Sequence, residues 1–328
     1  MLVRTDRIGD VLLTLPMAEA LRGQYPEAGI DLLVNKRVYE LVCDYPNINK
    51  VHSIEKVSTK AVFDVCREGR YDLAIIVYPT FEVAYGVYKA GVKYRLGTAY
   101  RWYSFLFNLK HRQHRKDSIK HESSYNLDLL NELNIYTDKR LVTQLQVSDE
   151  QIRCTIDKLQ GIGLDITMPY IVIHIPSLGS ARVWSDENFR KLLELILRDV
   201  NICYNVVLTG TESDISQVKG IVDKLPQNSR IYCIFSLNLK ELAAVISRAA
   251  LFVSNSTGPI HIAAAVGTYV VGLYSPVRVE SAVRWAPLTA KKKIFQPESD
   301  KKDIDVMNEI SPLQVYDFIN NYMKKRTN

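Results

Sequence analysis

Short apolar runs alternate with stretches of helical period along almost the whole chain, and no other feature restricts its fold so much. A clipped Leu2–Val3 run leads into helical spacing from about Asp10 to Gln24, then IDLLV at Ile30–Val34 and a helix near Arg37–Cys43. VHSI from Val51, a helix around Thr59–Glu68 and DLAIIVY at Asp72–Tyr78 continue the series. The pattern blurs between about Tyr85 and Lys120 and returns with a helix near Glu122–Leu133. After a polar stretch near Gln144–Gln151 a second series begins, with YIVIHI from Tyr170, NVVLTG from Asn205, RIYCIF from Arg230, LFVS from Leu251 and YVVGLY from Tyr269. Strands alternating with helices of roughly 10–15 residues predict parallel sheets built from βαβ units.

The 328 residues exceed the roughly 250–300 at which a single core stops growing. The expectation is α/β, with two doubly wound domains over 1–155 and 156–308. Ser311 and Pro312 then supply an N-cap and first-turn signal for a terminal helix within 309–328, expected to pack back toward the N-terminal domain. Composition adds exclusions: 47% hydrophobic and 24% charged residues rule out a disordered, collagen-like or disulfide-scaffold chain. The net charge of +6 suggests an anionic partner without approaching a histone-like chain. No run nears the ~18 apolar residues of a membrane span. Arg4, Asp6, Arg7 and Asp10 interrupt any signal-peptide core. Five scattered cysteines without a CxxC read as buried free thiols in a reducing compartment, so a cytoplasmic location is expected.

In open α/β sheets ligands bind beyond the carboxyl ends of the strands, so the loops after strands, and a cleft between two such domains, are where chemistry is expected. The first loop, RTDRIGD, puts Asp10 at the beginning of a helix, as a cap or as a general base facing the cleft. A helix N-terminus would hold its pKa down, and Arg4 and Arg7 flank it as anion binders or solvent-facing charges. The second, HIPSLGSARVW, places Ser177, Gly179 and Ser180 before Arg182, a small-residue turn plus one cation, although an ordinary connection would look alike. The third, SNSTGPIH, sets Ser256, Thr257 and Gly258 before Pro259 at a helix start, which suits an anion as well as plain capping. His261 lies in that first turn. The fourth, Tyr100–His121, holds Arg101, Lys110, Arg112, Arg115, Lys116 and Lys120 against the single acid Asp117, with Trp102, Tyr103, Phe105 and Phe107 interleaved. Such a stretch suits nucleic acid, an anionic lipid surface, a phosphorylated glycan or plain solvent. Its three histidines lack the partners of a zinc set, and no carboxylate pair has metal-ligand spacing, so no metal is expected.

Together RTDRIGDVLLTLP, HESSYNLDLL, HIPSLGSARVW, SNSTGPIHIAAAVGTYVVGLYSP and ISPLQV resemble the bacterial heptosyltransferases, glycosyltransferase family 9, in the right order over nearly the whole chain. The resemblance implies a GT-B architecture: two Rossmann-like domains facing a central cleft, acceptor on the first, nucleotide-sugar on the second. It implies that Asp10 deprotonates the acceptor hydroxyl in an inverting, metal-independent transfer from ADP-heptose. Arg182 would meet the donor diphosphate with Ser177, Ser180, Ser256, Thr257, Gly258 and His261 around it. Glu212 and Leu237 would lie on the nucleoside side. Arg4, Arg7, Arg101, Arg112, Arg115, Lys116 and Lys120 would hold a phosphorylated, lipid-linked lipopolysaccharide core at the inner membrane face. Some well-known members have Asp where this chain has Ser256, which opens a second reading with another nucleotide-sugar or a protein acceptor. Readings of another class are a catalytically inactive nucleotide- or glycan-binding module, which Asp10 and Arg182 together argue against, and nucleic-acid binding, for which the local charge is modest. The absence of GxGxxG after the first strand disfavours a dehydrogenase.

Overall fold

The structure, a computed structural model, describes residues 1–137, 141–177, 179, 181–202, 204–226, 230–299 and 304–327. They form two units, Met1–Leu145 and Gln146–Asn328. The boundary therefore falls ten residues before the expected 155. The reason is local. Ser148 and Gln151 close a capping box at the head of the helix Asp149–Gly161, and Lys158 of that helix pairs with Glu241 at 2.5 Å. The whole helix thus belongs to the second unit.

The first unit holds β1 (Leu2–Val3), β2 (Asp31–Asn35), β3 (Lys50–Ile54), β4 (Leu73–Ile76), β5 (Tyr94–Thr98) and β6 (Leu109–His111). All pair in parallel, in the order β3-β2-β1-β4-β5-β6. Two residues suffice for β1 because it is central: Leu2 and Val3 pair with Leu32 and Leu33 on one side and Ile75 and Ile76 on the other, and both are buried. β5 and β6 lie where the sequence pattern blurs. Gly97 interrupts the apolar run of β5, and a Cβ there would come 2.6 Å from the Phe107 ring.

The helix expected from Asp10 to Gln24 is two, Ile8–Leu12 and Pro16–Gln24. Pro16 cannot donate to the carbonyl of Leu12 and would clash with it in a continuous helix. Thr143 Oγ1 instead donates to that carbonyl at 2.5 Å.

The second unit holds β7 (Tyr170–His174), β8 (Asn205–Gly210), β9 (Ile231–Phe235), β10 (Leu251–Asn255), β11 (Val270–Leu273) and β12 (Lys292–Phe295), again parallel, in the order β12-β11-β10-β7-β8-β9. The terminal helix Pro312–Thr327 corrects an expectation. It was expected to return toward the N-terminal domain, yet Val315, Ile319 and Met323 are buried in the second unit's own core beside Phe189, Leu192 and Ile196. Burying each such side chain contributes roughly 1.5–3 kcal/mol, which fixes the helix there. Not all thiols are buried either: Cys66 is, Cys43 and Cys233 are half-buried, and Cys154 is exposed. Cys203 lies outside the described residues.

Candidate active site

In each unit the strand order reverses once, between β1 and β4 in the first and between β7 and β10 in the second. A crevice opens at the carboxyl ends of strands at such a point. Asp10 follows β1, Arg182 follows β7 and Thr257 follows β10 at these points.

In the first unit, Asp10 sits on the third residue of the helix Ile8–Leu12, whose N-cap is Arg7, so Asp10 is not the cap. Its carboxylate pairs with Arg4. Arg4 follows β1 directly and is 3% exposed. Its Nε donates to Asp6 Oδ1 at 2.7 Å, and its Nη1 lies 3.5 Å from Glu122 Oε1 and 3.4 Å from Asn126 Oδ1. Arg115 approaches the same pair, with Nη1 at 2.6 Å from Glu122 and 3.0 Å from Asn126. The Asn126 amide donates in turn to the carbonyl of Leu13 and to Thr14 Oγ1, at 3.0 and 3.2 Å. A ladder of side chains thus runs from the helix at Glu122–Asp128 to the Asp10 carboxylate.

The electrostatics reverse the expectation from the helix dipole. Burial is the largest influence on Asp10 and pushes its pKa up, Arg4 opposes it, Asp6 and Glu122 add to it, and the outcome is about 6. A carboxylate with that pKa is a better base near neutrality than an exposed Asp would be.

The expected acceptor-binding cations divide into two sets. Arg4 and Arg115 are committed to the ladder, and Lys120 pairs with Asp128 at 2.9 Å. Arg7, Arg101, Arg112 and Lys116 are exposed.

In the second unit, Arg182 follows β7 and meets Glu280 twice: its backbone N–H donates to Oε2 at 3.0 Å and Nη1 to Oε1 at 2.8 Å. Two residues on, the Trp184 N–H donates to Asn255 Oδ1, the last residue of β10, at 2.8 Å. That bond ties the loop after β7 to the head of the helix Gly258–Ala265. Thr257 is the N-cap of this helix, but no side chain caps it, since the Thr257 hydroxyl pairs with Ser254 Oγ at 3.0 Å. The early N–H groups of the helix are therefore not satisfied by a cap, as an anion site requires. Ser256, after β10, is half-buried, the buried Tyr274 hydroxyl donates to the Trp285 carbonyl at 2.8 Å, and His261 is buried within the first turn. Beneath the loops, Asn255 Nδ2 and Ser177 Oγ are buried with no hydrogen-bond partner among the described residues. Leaving such groups unmade costs about 1–3 kcal/mol each, a cost that a polar ligand can offset.

Glu212, after β8, accepts from Ser236 Oγ at 3.0 Å, which brings it beside half-buried Leu237 after β9. Ser180 lies outside the described residues. Among the described residues no group of three or more His, Cys, Asp or Glu side chains could hold a metal ion.

Sequence reasoning missed Glu122, Asn126, Glu280 and Asn255. Glu122 and Asn126 stand in HESSYNLDLL and could have been found by asking what neutralises Arg4. Nothing around Glu280 in the sequence points to Arg182.

Comparison with known proteins finds matches over most of the chain. The model of glycosyltransferase family 9 (heptosyltransferase) matches residues 60–312. A putative glycosyltransferase of Haemophilus influenzae is 25% identical over 318 residues, covering 92% of this chain and 90% of its own. Lipopolysaccharide heptosyltransferase 3 of Escherichia coli K12 is 27% identical over 305 residues, covering 86% of this chain and 83% of its own. Among solved structures, the ADP-heptose lipopolysaccharide heptosyltransferase II of E. coli superposes with a TM-score of 0.83 at 20% identity, over 100% of this chain and 99% of that one. That likeness gives the fold, the GT-B arrangement of two Rossmann-like units.

Proposed function

The chain belongs to glycosyltransferase family 9, and from that premise we propose that it moves heptose from ADP-heptose to a phosphorylated lipopolysaccharide core, inverting the anomeric carbon without a metal. The single observation carrying this reading is the Asp10 carboxylate, buried, held by Arg4 and raised to about 6, after the central strand of a parallel sheet. The acceptor hydroxyl attacks the anomeric carbon and gives its proton to Asp10. The new oxygen–carbon bond forms as the bond to the diphosphate oxygen breaks, and that electron pair leaves with ADP. The growing negative charge falls to Arg182 and the N–H groups at the head of Gly258–Ala265, which supports a reaction needing no cation. Such preorganised donors are worth about 3–4 kcal/mol each in transition-state stabilisation. Glu280 keeps Arg182 from swinging away before the donor arrives. The donor is the substrate and no cofactor is needed. A lipid-linked acceptor makes the enzyme a cytoplasmic protein in peripheral contact with the inner membrane.

Ser256 favours a second reading, in which the same chemistry uses another nucleotide-sugar or a protein acceptor. Its neutral hydroxyl offers no charge to a ribose or sugar. Titration calorimetry with ADP, UDP and GDP in EDTA, repeated on Arg182→Ala, separates the two. Binding of ADP alone, weakened in the variant, supports heptose transfer from ADP-heptose. Preference for UDP or GDP overturns the donor assignment, and binding of none overturns the enzyme reading in favour of an inactive glycan-binding module.

A further inference from the structure

The crossover from β5 to β6 places large aromatic side chains on both of its faces, and only one face is used by the fold. β5 and β6 are parallel, with Leu96 opposite Leu109 and Thr98 opposite His111, so residues 99–108 must return along the sheet. They do so through a tight turn ending in the short 3-10 helix Ser104–Leu106. Residues three apart eclipse one another in such a helix. Tyr103 and Leu106 accordingly share the inner side and are 5% and 3% exposed, with Phe107 at 2% behind them. Trp102 and Phe105 share the outer side and are 73% and 68% exposed.

This turn is rigid. Ser104 Oγ donates to the Thr98 carbonyl at 2.7 Å and accepts from the Arg101 N–H at 3.0 Å, while the Tyr103 hydroxyl donates to the Pro79 carbonyl at 2.7 Å. One face of Trp102 also stacks on Phe81, with ring centroids 5.0 Å apart. The two outer rings are therefore held in water by a framework that gains nothing from their exposure. Arg101 precedes Trp102 in the chain, and Lys110, Arg112 and Lys116 lie on and just after the neighbouring β6; all four are exposed and in no ion pair among the described residues. Tyr100 stacks on His114 at 4.5 Å, joining the aromatic turn to the basic loop after β6.

We infer that this surface is an interfacial anchor for an anionic lipid bilayer: Trp102 and Phe105 enter the headgroup layer while the four cations meet lipid phosphates. Aromatic rings with an apolar body suit that depth, and each basic residue near an anionic surface strengthens the attachment. One signal alone gives weak, reversible attachment, so rings and charges act together. The inference deepens the lipid-linked-acceptor reading and rests on it only for its purpose, since the binding itself needs neither donor nor turnover.

The experiment is co-sedimentation of the full chain with phosphatidylcholine vesicles, with and without phosphatidylglycerol, for the wild type and the double variant Trp102→Ser/Phe105→Ser. A charge variant, Arg112→Ser/Lys116→Ser, is run in parallel. The expected result is binding to the anionic vesicles that falls on adding salt, roughly tenfold or more weaker in the aromatic variant, with ADP binding unchanged. The charge variant should lose the preference for anionic lipid. Unaltered vesicle binding by the aromatic variant, or equal binding to both vesicle types, overturns the inference. So does a wild-type dimer that becomes a monomer in the aromatic variant, because the patch would then face a second copy of the chain. Loss of ADP binding in the wild type would instead count against the enzymatic reading and leave the vesicle result standing.

Discussion

Replacing Asp10 by Asn should slow transfer sharply and, above pH 6, make the first unit more stable. The Asp10 side chain is 14% exposed and shares Arg4 with Asp6 and Glu122. Arg4 and Arg115 pair with three carboxylates, exposed Arg7 adds a weaker attraction, and burial still leaves one carboxylate costly to ionise. That one is Asp10, raised from 3.8 to about 6, mainly by burial. With a folded-state pKa above the unfolded value, the folded unit binds the Asp10 proton more tightly. The stabilisation this gives is complete below about 3.8 and is lost as the pH rises through about 6. Two pKa units are on the order of 3 kcal/mol, an upper bound for what ionised Asp10 costs at pH 8. Asn mimics the neutral acid and avoids that cost.

The expected gain at pH 8 is roughly 1–3 kcal/mol, shrinking toward zero near pH 4. Hydrogen exchange of the Leu73–Ile76 amides, read by mass spectrometry at pH 5, 6, 7 and 8 after correction for intrinsic rates, measures it within this unit. Turnover of the same variant should fall about 10²–10⁴-fold. A variant destabilised at pH 8, or a difference that does not change with pH, would refute the reasoning.

Other substitutions probe the rest of the site. Arg4→Met leaves three carboxylates facing one another and should cost the first unit about 3–5 kcal/mol in the same exchange experiment; a neutral result would mean the ladder does not hold Asp10. In the wild type, kcat/KM should rise with pH through about 6 as Asp10 loses its proton. Glu122→Gln removes a charge that raises Asp10, so it should move that limb to lower pH, and an unmoved limb in pH–rate profiles would argue against the coupling. Glu280→Gln frees Arg182 from its ion pair and should weaken nucleotide binding by calorimetry about tenfold, whereas tighter binding would make Glu280 a competitor of the diphosphate.

Much of this was legible in the sequence, and the failures have physical causes. Isolated apolar runs such as YIVIHI and NVVLTG announce strands because both faces of a parallel sheet are buried, so nothing polar interrupts them. β6 and β12 carry Lys110, Lys292 and Lys293 on edge strands open to solvent, and their mixed composition hid them. The Asp10 and SNSTGPIH loops could be read because a helix start and small polar residues are local signals. Glu122 and Glu280 could not be read that way: each meets its arginine across about 100 residues of chain or more, 118 for Arg4–Glu122 and 98 for Arg182–Glu280. Spacing also says nothing of burial, which is why the helix dipole was expected to govern Asp10 when desolvation does. The cationic stretch shows the same limit. Arg115 and Lys120 look available in the sequence and are spent on Glu122 and Asp128, and nothing in the spacing separates exposed Trp102 and Phe105 from buried Tyr103 and Phe107.

The proposed reaction can be tested most directly by incubating the full chain with ADP-heptose and a phosphorylated core acceptor in EDTA, then reading the anomeric configuration of any new linkage by NMR. The account predicts release of ADP with transfer to the acceptor, inversion at the anomeric carbon, and turnover about 10²–10⁴-fold slower in Asp10→Asn. Retention of configuration, dependence on an added metal, or full activity of Asp10→Asn would contradict it.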